Sequence, residues 1–297
     1  MRLQLCVIAF VACAVASTAA AAPVDGAFDS AGVRIHYIED GRGDAVVLVH
    51  GFMNTAEDWV RVGIFPELAK RYRVIALDCR GHGQSDKPHD PTLYGREVAE
   101  DVIRLLDHLR LARAHVVGYS MGGGIVAQLV TLHPDRFLSA TLGGNAGRRR
   151  WTAADQEDAR IEADELRRGS LRHILTRLSP TNAAPPSEEE IRERSAAVLK
   201  GQDPLALAAL EQSRGSFVVD TRQLAATKVP VLGIVGSLDP SLSSFQELKT
   251  AMPQLELVVI DGAPHSGATG APRRPEFVRS LSGFLARTSQ AAPNAVH

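Results

Sequence analysis

A mostly parallel β-sheet covered by helices on both faces is the fold class that the sequence predicts, and three observations predict it. Short runs rich in Val, Ile and Leu recur along the chain, and they are continuously apolar where a half-exposed strand would alternate. Between the runs lie stretches whose apolar residues fall at helical spacing. A Gly-Tyr-Ser-Met-Gly segment, residues 118 to 122, sits at the junction of one such run with a helical stretch.

Taken in order, Val33 to Glu39 alternates in character and is followed by Asp40-Gly41, which suits an antiparallel edge hairpin. Buried strands are expected at Ala45 to His50, Arg73 to Asp78, Ala114 to Tyr119, Leu138 to Gly143, Val229 to Gly236 and Leu255 to Asp261. Tyr94 to Leu109 places Val98, Val102, Leu105, Leu106 and Leu109 on one helical face, and Gly123 to Leu132 reads as a second helix. Strands alternating with helices imply a wrapped parallel sheet. From Asn145 to about Ser213 the sequence turns Arg- and Glu-rich and offers helix starts but no strand. Ser187 to Glu190 is a capping box behind Pro185-Pro186, and Asp203 precedes a first-turn Pro204. This insertion should lie over the carboxyl ends of the strands, where such sheets bind ligands. The expected division is a core at 25–144, a helical cap at 145–215, the rest of the core at 216–288 and a flexible tail at 289–297.

With 297 residues, 45% hydrophobic and 23% charged, the composition is that of an ordinary globular protein. A formal net charge of −1 supplies no field that would draw the chain to nucleic acid or to an anionic membrane. The start of the chain carries one arginine, then an apolar run, then small residues of the A-x-A kind at Ala19 and Ala21. It reads as a signal peptide, residues 1–21, and predicts an exported protein, periplasmic or secreted. The strongly apolar part, Leu3 to Val15, is short of the roughly 20 residues of a membrane span, so no stable span is expected after cleavage. Cys6 and Cys13 leave with the signal, and Cys79, then alone, reads as a small buried residue. The absence of Cys pairs and of H-E-x-x-H spacing leaves no expectation of a metal or a cofactor. Arg148-Arg149-Arg150 reads as a solvated charge run in preference to an anion site.

The serine at the strand-to-helix junction gives the segment chemical meaning. A tight turn there would lift the Ser120 hydroxyl out of the sheet and place the Met121 amide at a helix N-terminus, where an oxyanion could form. A serine is a poor nucleophile until a base takes its proton. His265 is the expected base, because its Gly- and Pro-containing loop directly follows the last strand and reaches the same sheet edge. The orienting acid is expected at Asp239, after the preceding strand, with Asp261 as the rival. Phe52, in the His50-Gly51-Phe52 segment behind an early strand, is the candidate second oxyanion donor, and His50 is read as a brace for that loop.

His50-Gly51-Phe52, Asp78 to Ser85, Gly118 to Gly122, Asp239 and His265 together make the chain resemble the α/β-hydrolase fold family over nearly all of residues 25–286 apart from the insertion. The resemblance implies an eight-stranded, mostly parallel sheet with a helical cap. It also implies nucleophile, acid and base roles for Ser120, Asp239 and His265, and a structural purpose for the Asp78 to Ser85 loop. A serine at the elbow argues against the family's dehalogenases and epoxide hydrolases, which use an aspartate. Hydrolysis of a carboxylic ester or related acyl bond of a small molecule, through an acyl-enzyme, is therefore the expected activity. Carbon–carbon bond hydrolases, lactonases and cofactor-free perhydrolases, whose Ser-Met-Gly-Gly-Gly run is similar to Ser120 to Gly124, are alternatives on the same triad. A ligand-binding protein that keeps the shell without turnover is the alternative of another class, and the intact triad argues against it.

Overall fold

The computed structural model describes residues 23–290. The expected signal peptide with Cys6 and Cys13, and the end of the expected tail, lie outside the described residues.

Eight strands form one sheet: β1 (Val24–Ser30), β2 (Val33–Asp40), β3 (Ala45–Val49), β4 (Arg73–Leu77), β5 (Ala114–Tyr119), β6 (Phe137–Gly143), β7 (Val231–Gly236) and β8 (Glu256–Ile260). Their order across the sheet is β1-β2-β4-β3-β5-β6-β7-β8. The pairs β1–β2 and β2–β4 are antiparallel and every other pair is parallel. The expected α/β sheet is thus present, with strand ends shifted by a residue or two.

One expectation is corrected. Asp40-Gly41 closes no hairpin, and β2 is not an edge strand. The hairpin lies one strand earlier, at Ala31-Gly32, where both residues have positive φ, 55° and 83°. β1 escapes a reading by periodicity because VDGAFDS holds few apolar residues. Its Gly26 is required by packing, since a Cβ there would fall 2.3 Å from the Tyr37 ring.

The helices are α1 (Ala56–Arg61), α2 (Ile64–Ala69), α3 (Arg96–His108), α4 (Met121–Leu132), α5 (Ala153–Arg167), α6 (Arg172–Arg177), α7 (Glu188–Leu199), α8 (Pro204–Gln212), α9 (Thr221–Ala226), α10 (Leu242–Ala251) and α11 (Pro275–Gln290). Side chains of β3 show how the sheet holds two layers together. Val47 and Val49 join the cluster that contains α3, α4, α9 and α10, whereas Val46 and Leu48 join the cluster of α1, α2 and α11. The period of two puts apolar residues on both faces, which is why the strands read as continuous apolar runs.

Helices α5 to α8 all lie between β6 and β7 and bury their own apolar cluster, including Leu166, Leu171, Ile174, Ile191 and Leu207. Phe52 and Met53, from the loop after β3, pack against that cluster together with Leu178 and Leu199. Ser187 and Glu190 form the reciprocal cap of α7, and Asp203 accepts from the Leu205 and Ala206 amides at the start of α8. A charged network, Glu162–Arg177–Arg214–Glu211, ties α5, α6 and α8 to the turn that follows them. Among the described residues no helix is long and apolar enough to cross a membrane.

Candidate active site

Ser120 occupies the single residue between β5 and α4, with φ 56° and ψ −114°. Such a backbone costs a residue with a Cβ roughly 1–3 kcal/mol and persists only where its surroundings impose it. Here they do. A Cβ on Gly118 would lie 2.1 Å from the Gly122 carbonyl oxygen, and one on Gly122 would lie 2.0 Å from the Val49 oxygen, so both positions admit only glycine. The Ser120 N–H donates to the Gly143 carbonyl at 2.7 Å, which fixes the turn against β6. Although Ser120 stands at the N-cap of α4, its side chain makes no capping bond. Its Oγ lies 2.9 Å from His265 Nε2 instead.

His265 reaches this point on the loop after β8. Its Nδ1 lies 2.7 Å from Asp239 Oδ2, on the loop after β7. The second carboxylate oxygen, Oδ1, accepts from the Ser241 N–H at 2.8 Å. Asp239 and His265 are 1% and 4% exposed, so the pair is shielded from competing water. With the proton on Nδ1 directed at the carboxylate, Nε2 is left as an acceptor for the serine hydroxyl. The tyrosine before the serine, Tyr119, has a part that sequence reading missed. Its hydroxyl donates to the His265 carbonyl at 2.5 Å and its ring tilts against the imidazole at 5.5 Å, so β5 positions both the serine and the histidine loop. Nothing in the sequence distinguishes that tyrosine from a core residue.

The loop after β3 closes the other side. A Cβ on Gly51 would stand 3.3 Å from Ser120 Cβ, so the loop backbone that leads into Phe52 lies against the serine. Met121 opens α4, where the first N–H groups have no partner within the helix. Neither the Phe52 nor the Met121 N–H has an acceptor among the described residues. The structure therefore brings Ser120, His265, Asp239, Phe52 and Met121 together at one sheet edge. This arrangement can deprotonate a hydroxyl and stabilise negative charge on an oxygen next to it.

The remaining candidates have other places. Asp261 accepts from the Ser237 hydroxyl at 3.3 Å on an exposed surface, away from the imidazole. His50 Nε2 accepts from the Cys79 N–H at 3.0 Å and its Nδ1 faces the Gly51 carbonyl, which makes it a brace. Cys79 is buried, and burial pushes its thiol well above the ordinary range, so it is no thiolate. Asp78 receives the Ala56 and Gln84 amides, and Arg80 pairs with buried Asp101 through two nitrogens, so the Asp78 to Ser85 stretch is held as scaffold. Arg148 is engaged by Asp155 and lies over Trp151, and Arg149 pairs with Glu247.

Buried histidines predict a pH-dependent stability. Burial, reinforced by neighbouring His50, takes His82 down to about 3. Burial likewise takes His115 to about 4 and lowers His50 from 6.5. His82 and His115 are neutral in the folded chain while their unfolded counterparts gain a proton as pH drops below about 6.5, so the folded state loses about 1.4 kcal/mol per pH unit for each, and the lowering at His50 acts in the same direction. Glu211 opposes one of the two, because burial raises it to about 7 and the folded chain holds its proton first. The net expectation is a loss of at least about 1 kcal/mol per unit between about pH 6 and pH 5. Urea unfolding midpoints across that interval test it, and a flat profile would contradict neutral buried imidazoles.

Comparison with known proteins places the chain in a family. A family model described as alpha/beta hydrolase fold matches residues 44–268. The chain belongs to the α/β-hydrolase fold family. Over 123 residues it is 41% identical to the dihydrolipoyllysine-residue acetyltransferase component of the acetoin cleaving system of Cupriavidus necator, an alignment covering 40% of this chain and 31% of that one. Over 224 residues it is 30% identical to 3-oxoadipate enol-lactonase 1 of Acinetobacter baylyi, covering 73% and 80%. Three of the curated relatives it matches are spanned over only 28% to 42% of their length. Among solved structures, this α/β-hydrolase is similar to the 2-hydroxy-6-oxo-6-phenylhexa-2,4-dienoate hydrolase from Rhodococcus sp. strain RHA1. That match has a TM-score of 0.66 and 25% identity, and it covers 91% of this chain and 99% of the other.

Proposed function

We propose that the protein is a serine hydrolase that cleaves a carboxylic ester of a small molecule by way of an acyl-enzyme. The observation that carries this reading is the unbroken line from Ser120 Oγ to His265 Nε2, 2.9 Å, and from His265 Nδ1 to Asp239, 2.7 Å. In the proposed cycle His265 accepts the serine proton as Oγ bonds to the ester carbonyl carbon, and the carbonyl oxygen takes up the electron pair against the Phe52 and Met121 amides. Collapse of that intermediate breaks the bond to the alcohol, which leaves with the proton from His265. Water, deprotonated by the same imidazole, then attacks the acyl-serine, and the acid leaves as the imidazole returns that proton to Ser120 Oγ. The apolar surface that Phe52 and Met53 share with Leu178 and Leu199 supports an apolar acyl or alkyl group under the cap.

A lactone is the second reading, favoured by the 30% identity to an enol-lactonase over most of both chains. It uses the same steps with the leaving alcohol still tethered to the acyl group. The test is a p-nitrophenyl ester series from acetate to palmitate, run beside a simple lactone and a vinylogous diketone as the carbon–carbon substrate. Release of nitrophenol with a chain-length optimum supports the ester reading. Turnover confined to the lactone or to the diketone would replace it, and tight binding of all three without product would favour a binding protein.

A further inference from the structure

The loop that carries the Phe52 amide is held from two sides. The Asn54 N–H donates to the Gly51 carbonyl at 3.1 Å and closes a turn with Phe52 and Met53 at its centre. Met53 has φ 62°, a left-handed backbone that a residue with a Cβ adopts only under constraint. Two hydrogen bonds supply the constraint, one at each end of the residue. From the core, His82 Nε2 accepts from the Met53 N–H at 3.1 Å. From the cap, Gln202 Nε2 donates to the Met53 carbonyl at 3.0 Å, across 149 residues of sequence. Gln202 stands in the turn between α7 and α8.

The His82 end is set by burial. Its Nδ1 faces the Arg80 carbonyl at 3.2 Å, which puts the ring proton there and leaves Nε2 as the acceptor. Burial holds the ring neutral, with a pKa near 3, so the acceptor persists at any ordinary pH. The cap makes a second tie next to the acid, where the Thr181 N–H donates to the Leu238 carbonyl at 3.2 Å.

We propose that His82 and Gln202 are positioning residues for the oxyanion donor at Phe52, and that docking of the cap, through Gln202, sets the geometry of that donor. The inference rests on the serine-hydrolase reading, because the Phe52 amide has work only if an oxyanion forms beside Ser120. Without the Gln202 bond the Met53 carbonyl is free to swing, Met53 can relax toward negative φ, and the turn that aims the Phe52 N–H moves with it. Charge on the oxygen develops only as the bond to Ser120 forms, so the loss should appear in the rate of the covalent step and not in ground-state binding. A cap anchor with no link to the oxyanion would weaken stability or binding and would be indifferent to the residue at position 53.

Labelling by a small alkyl fluorophosphonate separates these cases without knowledge of the natural substrate. Ser120 Oγ bonds to phosphorus, fluoride leaves, His265 takes the serine proton, and the phosphoryl oxygen occupies the place of the oxyanion. The proteins compared are the wild type, Gln202→Met, Met53→Gly and the double variant. Methionine keeps the length of glutamine and lacks its N–H. Its maximal labelling rate should fall by about tenfold to a hundredfold with the half-saturating reagent concentration unchanged. In the Met53→Gly background, where positive φ carries no penalty, the same substitution should cost much less. Wild-type labelling at Ser120 with an unaltered rate in Gln202→Met would overturn the inference alone, as would an equal loss in both backgrounds. No Ser120 adduct in the wild type would overturn the serine-hydrolase reading and this inference together.

Discussion

Replacing Ser120 with alanine is expected to lower kcat on a turned-over ester by roughly 10⁴- to 10⁶-fold while leaving the folded structure in place. The elbow conformation is imposed by contacts that do not involve the hydroxyl. Gly118, Gly122 and the bond from the residue 120 amide to Gly143 all remain, and alanine presents the same Cβ to the same φ. His265 loses its hydrogen-bond partner at Nε2 but keeps Asp239 at Nδ1 and the Tyr119 hydroxyl on its carbonyl. One lost bond of that kind costs about 1 kcal/mol, so the unfolding midpoint should move little. In the proposed mechanism the nucleophile and its base act as one unit, so His265→Ala should cost about as much as Ser120→Ala, and the double variant little more than either. Burst kinetics with a p-nitrophenyl ester measure this directly. A burst in the wild type that survives in Ser120→Ala would place the acyl group on another residue and end the proposal.

The parts of this site that were legible in the sequence share a property. Ser120, Asp239 and His265 each follow a strand that is itself legible as a buried apolar run, and in a parallel sheet all such carboxyl ends meet at one edge. Spatial convergence of Ser120 with two residues more than a hundred positions further on was therefore readable from topology. The same logic pointed to Phe52 and Met121, whose proposed roles fall to backbone amides fixed by position and not by side-chain type. What stayed hidden depends on tertiary contact with no topological signature. Gln202 meets Met53 because the turn between α7 and α8 lies against the loop after β3, and no periodicity marks a glutamine that will do so. Tyr119 looks like one more apolar residue of β5 until its hydroxyl is seen on the His265 carbonyl. Strand β1 was lost for a different reason. An outer antiparallel strand needs only one buried face, and its few inward residues, such as Phe28, give too short a pattern to count.

Phe52→Pro is expected to reduce kcat by about 10²- to 10³-fold, whereas Phe52→Ala should lose far less. The two substitutions remove the same phenyl ring from its place against the cap cluster and the His82 ring. Only proline also removes the N–H. Position 52 is the second residue of the turn closed by Asn54 and Gly51, and proline is favoured there because its fixed φ suits the first central position. The turn should persist in both variants, so the ratio of their rates isolates the amide. Removing a donor that binds only the developing oxyanion leaves KM nearly unchanged and takes its whole cost from the barrier, about 2.7–4 kcal/mol. The Met121 amide would still be present, which is why the expected loss stops well short of the Ser120→Ala value. Equal kcat for the proline and alanine variants would assign the oxyanion to donors other than Phe52. A rise in KM for proline at constant kcat would mean that the amide holds the substrate carbonyl equally in the ground state, and that its contribution is to binding and not to the barrier.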